Sequence, residues 1–178
     1  EEKNYETLAI HPYKKQFYKR NKVYNAMGFN NFLGEDDLIS ADRLSENAYV
    51  SDQSVVNEIV DKLKNTDSPM FIHTVTMQNH LPIEEGKHGK NSITVEGLTG
   101  EAKEHMEIYA EGIKQSSIAT RNLIDALEQM DEPTVVIFFG DHLPSFKSDV
   151  YEQAGYDKDS FDNERLKWQT PLFIYSNF

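Results

Sequence analysis

Residues 133–140, PTVVIFFG, run five consecutive apolar residues between a turn-forming proline and a glycine. An unbroken β-branched and aromatic run of this kind, with no polar alternation, reads as a strand buried on both faces, and such strands belong to parallel sheets covered by helices. Residues 170–176, TPLFIYS, repeat the pattern, and residues 69–77, PMFIHTVTM, are a third β-rich run bounded by turn residues. Helical segments and long crossovers separate them. Strand, helix, strand in this order predicts a single α/β layered domain with a mainly parallel central sheet.

The helices are read from their apolar spacing. Residues 51–64 open on Ser51 or Asp52 as N-cap and align Val55, Val56, Ile59, Val60 and Leu63 on one face. Residues 101–130 carry a stripe through Met106, Tyr109, Ile113, Ile118, Leu123 and Leu127, weakened at its centre by Gly112 and the Ser116–Ser117 pair. Residues 12–26 predict a shorter helix with Pro12 near its first position and Tyr13, Phe17 and Tyr24 at roughly helical spacing. The polar connection 78–100 is too long for a simple turn, a length usual in loops that carry function.

Composition narrows the class of partner. The formal net charge of -12 argues against nucleic acid, because phosphate-backbone binding needs a basic stripe that releases counterions. The absence of cysteine excludes a disulfide framework and thiolate metal sites. No run approaches the roughly 18 apolar residues of a membrane span. The chain opens on EEKNYET and stops on the strand-like TPLFIYSNF, so it is expected to be a soluble piece of a longer protein.

In open α/β sheets, ligands sit beyond the carboxyl ends of the strands. Asp141 and His142 lie there, just after Gly140, where a turn of the backbone lets both side chains converge. A carboxylate oxygen with an imidazole nitrogen suits a borderline divalent ion such as manganese or zinc. From the dipeptide alone the alternative stays open: Asp141 caps the next turn and His142 is a surface residue. Asn79 and His80 close the 69–77 strand in the same way. His73, mid-strand, reads as a hydrogen-bonded core residue, and His88 and His105 read as solvated. The segment 11–22 holds Lys14, Lys15, Lys19, Arg20 and Lys22 among Tyr13, Phe17 and Tyr18, with no acidic residue. It is either an anion pocket or a solvated helix face with its aromatics turned inward.

Taken in order, HPYKKQFYKR with GFNNF, then TVTMQNHLP, then FFGDHLP resemble the extracellular catalytic domain of the lipoteichoic acid synthase and phosphoglycerol transferase family, within the sulfatase and alkaline phosphatase superfamily. The likeness covers nearly the whole chain. It implies an alkaline-phosphatase-like layered sheet, incomplete on its N-terminal side, and a parent enzyme that uses Mn2+ and a threonine nucleophile to take glycerol phosphate from phosphatidylglycerol. The implied acceptor is polyglycerol phosphate or a glycolipid. The implied location is the extracellular face of a bacterial membrane, held there by an N-terminal region absent from this sequence.

Residue by residue, the resemblance implies that Asp141 and His142 are metal ligands and that His80 is the active-site histidine beside the transferred phosphate. His11 and Arg20 match the glycerol phosphate pocket, and Tyr18 falls where the family commonly has tryptophan. Tyr13 stands where some members have an acidic residue. The family's threonine nucleophile and glutamate ligand lie upstream of the equivalent of residue 1, and Thr7, Thr74, Thr76 and Thr170 do not replace them. This chain alone is therefore expected to bind metal weakly and to turn over nothing. A sulfatase, a phosphoethanolamine transferase and a non-catalytic polyglycerol-phosphate-binding domain are the competing readings.

Overall fold

A computed structural model describes residues 4–146, 148–156, 165–166 and 168–178. Its central strand is β1 (Glu6–Ile10), flanked by β2 (Asn31–Leu33) and β3 (Met70–Thr74), and both pairings are parallel. The register sets Leu8 opposite Asn31 on one side and Ile72 on the other. Leu8 and Ile10 bury one face of β1 against Val55 of helix α2 (Asp52–Lys64), with Leu33, Leu38, Ile59, Met70 and Ile72 around them. Ala9, on the opposite face, is also fully buried. A strand covered on both sides is what a parallel α/β sheet requires.

Helix α2 starts where its sequence says it must. Ser51 is in extended conformation and its hydroxyl accepts the amide of Ser54, an N-cap worth about 1 kcal/mol. Helix α3 (Gly100–Leu127) is continuous and packs along α2. Of the expected stripe Leu127 is buried and Met106, Tyr109 and Leu123 are half-buried, while Ile113 and Ile118 are exposed and the buried face is completed by Ala102, Ile108, Glu111, Gly112 and Ala119. A second apolar cluster joins Leu98, Ala102 and Val150, the last from the short helix α4 (Val150–Gln153).

Two expectations fail here, each for a physical reason. The expected helix over 12–26 begins only at α1 (Arg20–Ala26), because a 3-10 turn at Phe17–Lys19 passes through left-handed backbone at Tyr18 and Lys19, both with φ of 53°. That reversal resets the chain direction, and no helix can run through it. The run 135–139 is indeed a strand, β4 (Val135–Phe139), but it pairs antiparallel with β5 (Leu172–Ser176) in a separate two-stranded ribbon. Directly paired residues share a face, so Val135, Ile137, Phe139, Leu172 and Ile174 form one apolar surface, and all five are exposed. On the other face Phe138 stacks on Phe173 at 5.0 Å. Asn177 ties the ribbon to the end of α3 by donating to the carbonyl of Leu127.

Candidate functional site

His11 is the residue at which β1 leaves the sheet. Its amide donates to Leu33 and the amide of Val75 donates to Ile10, so the last ladder bonds hold the two loops that follow β1 and β3 side by side. The His11 ring is 1% exposed, and its Nδ1 lies 2.9 Å from the Val75 carbonyl. A carbonyl only accepts, so Nδ1 carries the hydrogen and Nε2 presents a lone pair. Nε2 is buried and has no partner among the described residues. Burial pulls the His11 pKa below its usual value against the Val75 hydrogen bond, and the nearby Arg20 and His80 depress it further.

Those two neighbours are the sequence-predicted partners of His11. A train of edge-to-face aromatic contacts joins them: His11 to Tyr13, Tyr13 to Phe17 at 5.4 Å and to Tyr49 at 5.8 Å, and Tyr49 to His80 at 5.9 Å. The Arg20 guanidinium lies 5.5 Å from the Phe17 ring and 5.2 Å from the Tyr18 ring. Its one hydrogen bond among the described residues goes to the Phe17 carbonyl at 3.4 Å, which leaves most of its five N–H donors for a ligand. Phe17 and Tyr18 are exposed rather than turned inward as the solvated-helix reading has it, while Lys14, Lys19 and Lys22 are exposed as that reading expects. Lys15 drops out of the anion-binding set: it pairs with Asp37 at 2.9 Å.

His80 lies six residues beyond β3, on a turn whose amide donates to Met77. Its ring is exposed, with Nδ1 3.0 Å from the Leu81 carbonyl, so Nε2 again faces outward. Beneath it sits a buried polar network that the sequence reading missed. Gln78 donates to the Gly112 carbonyl and to Ser116, Asn79 donates to Ser116, and Ser116 donates to Asp52. Gly112 is required there: a Cβ would fall 2.3 Å from Asn79 Oδ1 and 2.5 Å from His88 Nε2. His88 is buried, not solvated, and His105 is half-buried against Ser148 at 3.0 Å. His73 is half-buried between the rings of Tyr24 and Phe29.

Asp141 and His142 sit at the end of β4, both exposed. His142 Nδ1 lies 2.7 Å from the Leu143 carbonyl, which turns Nε2 to within 3.7 Å of Asp141 Oδ2. That spacing leaves one oxygen and one nitrogen close together on an exposed edge. Asp141 Oδ1 also accepts the His142 amide at 2.9 Å, a local cap of the turn that follows β4. Among the described residues no group of three or more His, Cys, Asp or Glu side chains comes together to hold a metal. The pair fits half of a four-ligand site.

The sulfatase family matches residues 1–178. The chain belongs to the sulfatase family. Its parallel α/β architecture is that of alkaline phosphatase superfamily domains. A putative cyclic beta-1,2-glucan modification protein of Rhizobium meliloti is 33% identical over 97% of this chain and 28% of its own length. A lipoteichoic acid synthase-like protein of Bacillus subtilis is 23% identical over 97% of the chain and 28% of its own length. Among solved structures, the Streptococcus pyogenes phosphoglycerol transferase GacH, in complex with sn-glycerol-1-phosphate, superposes with a TM-score of 0.75 at 28% identity, over 98% of this chain and 44% of that one. The chain thus spans just over a quarter of these curated relatives. Among the described residues no helix is long and apolar enough to cross a membrane.

Proposed function

We propose that this chain is part of a metal-dependent phosphoglycerol transferase that moves glycerol phosphate from phosphatidylglycerol to a cell-envelope polymer or glycolipid. The observation that carries the reading is His11 Nε2, buried and unpartnered beside Arg20 and His80. A buried polar atom without a partner costs about 1–3 kcal/mol, a penalty that a ligand hydroxyl or phosphate would relieve. Likeness to a transferase seen with sn-glycerol-1-phosphate supports the same ligand class here.

In this reading Arg20 pairs with the phosphoryl oxygens, with the Phe17 and Tyr18 rings fixing its plane. His11 Nε2 accepts a glycerol hydroxyl. His80, with Nδ1–H held by Leu81, moves a proton at Nε2 close to the transferred group. Asp141 and His142 would hold Mn2+, which when bound offsets charge on a phosphoryl oxygen and lowers the pKa of the attacking hydroxyl. The nucleophile and remaining ligands come from the parent outside this chain, which is held at the outer face of the bacterial membrane. The glucan-modifying relative supports a glycan as the acceptor.

The test is diacylglycerol release from phosphatidylglycerol by the whole catalytic domain, with and without Mn2+, for wild type, His80→Ala and His142→Ala. Release that requires the ion, His80 and His142 is expected. A folded, manganese-binding domain that releases nothing would overturn the reading in favour of another ester substrate or a binding role.

A further inference from the structure

The turn that carries His80 is gripped through its backbone. Three successive carbonyls, those of His80, Leu81 and Pro82, all accept hydrogen bonds from side chains outside the turn. The Lys87 ammonium donates to His80 and to Pro82, the latter at 2.8 Å, and the Tyr49 hydroxyl donates to Leu81 at 3.1 Å. The two donors also touch each other, with Lys87 Nζ 5.3 Å from the centre of the Tyr49 ring. The same ring meets His80 edge to face.

Lys87 is an unusual residue to find in this place. It is 7% exposed and makes no ion pair among the described residues. Burial lowers its pKa to about 8, and only Glu84 works in the other direction. Its charge is met by two carbonyls and an aromatic face, and a desolvated ammonium needs all of its donors satisfied. Its own backbone is pinned as well, the amide donating to Glu84 and the carbonyl accepting from Ser45. A lysine whose only task was to close a loop would gain more by reaching water.

We propose that Lys87, acting with Tyr49, is the positioning residue of His80. By taking the carbonyls on either side of Leu81, the ammonium fixes the Leu81 peptide so that its oxygen faces the imidazole. The His80 Nδ1–H then donates to that oxygen at 3.0 Å, which sets the tautomer and leaves the Nε2 lone pair toward the open side. Without the ammonium, the carbonyls of His80 and Pro82 lose their donor, the Leu81 peptide turns, and the ring samples both tautomers. The inference rests on the assignment of His80 to the transfer reaction.

Two measurements separate the clamp from that assignment. The first is side-chain nitrogen NMR of His80 in this 178-residue chain. Wild type is expected to hold the Nδ1–H tautomer, and Lys87→Met to shift it toward a mixture. Lys87→Arg, which keeps the charge and donors, should retain most of the wild-type signal, and Tyr49→Phe should shift it partly. If Lys87→Met fails to fold, Tyr49→Phe and Lys87→Arg carry the same test. The second is turnover by the whole domain, where Lys87→Met is expected to lower kcat on the order of 10- to 100-fold with KM little changed. Full turnover by His80→Ala would remove the functional assignment and leave the NMR result to decide the clamp. An unchanged His80 tautomer in Lys87→Met, or in Tyr49→Phe where the former does not fold, would overturn the proposal.

Discussion

The Ser116 hydroxyl, midway along α3, lies 2.5 Å from Asp52 Oδ2 at the head of α2. That one oxygen joins both helices to the loop below His80, because it also accepts from Gln78 Nε2 at 3.1 Å and from Asn79 Nδ2 at 2.8 Å. A hydroxyl offers one hydrogen and two lone pairs, and here all three are used. Ser116→Ala is therefore expected to destabilise the chain by about 2–4 kcal/mol, since it strips partners from several buried polar groups at once. Denaturant unfolding measures this. A loss below about 0.5 kcal/mol, the usual range for a surface site, would mean that the network is not held as described.

This network also shows where sequence reasoning stopped. Helix α2 was legible because its cap and its apolar face are local facts: Ser51 and Val55 lie within one turn of each other. His80 was singled out by its place after a strand and Arg20 by its basic segment, whereas His11 came only from the family resemblance. Asp52, Ser116 and Lys87 were not, since a polar residue on a helix or loop reads as solvated until its tertiary partner is known. One signal was available. Gly112 and Ser116 break an otherwise apolar α3 stripe, and small residues at the centre of a long helix mark a close approach, here that of Asn79 and His88. The pairing of β4 was not legible at all. An apolar run specifies burial of a strand, but not which strand lies beside it.

Acid should act on the fold in two stages. His88 is 6% exposed and burial, aided by Lys87 and opposed by Glu111, lowers its pKa from 6.5 to about 4. The unfolded chain thus takes up this proton first, so the contribution is complete above pH 6.5 and is lost as pH falls toward 4, by up to roughly 3 kcal/mol. Glu111 is held near 2 by the Ser92 hydroxyl and amide and by Gln115 and Lys114, against the upward pull of burial, so its contribution fades only from about pH 4.5 down to 2. Stability measured from pH 7 to 5 should fall in wild type and fall less steeply in His88→Leu, where the remaining slope comes from His11, whose pKa burial also lowers. Equal slopes in the two proteins would refute the assignment of this window to His88.

Lys19, like Tyr18 before it, holds left-handed backbone beside Arg20. For a residue with a Cβ this region costs about 1–2 kcal/mol, part of which glycine recovers despite its more flexible unfolded state. Lys19→Gly is expected to raise stability by about 0.5–1 kcal/mol, whereas Lys19→Ala should leave it unchanged. Thermal unfolding of both variants checks this. A Lys19→Gly protein less stable than Lys19→Ala would show that the residue does not adopt this conformation.

The exposed face of the β4–β5 ribbon makes the last prediction. Ile137 and Ile174 are directly paired, 59% and 66% exposed, at the centre of a surface completed by Val135, Phe139 and Leu172. A contiguous apolar surface on an isolated two-stranded ribbon favours self-association, through both its side chains and its unpaired edges. The 178-residue chain is expected to form oligomers at rising concentration and to enhance the fluorescence of a hydrophobic dye. Ile137→Lys combined with Ile174→Glu should suppress both, and should leave unfolding stability within about 0.5 kcal/mol because neither side chain contributes to a core within this chain. Sedimentation and dye binding read the first effect, and denaturant unfolding reads the second. A loss of several kcal/mol in the double variant would mean that this face is packed against another part of the chain.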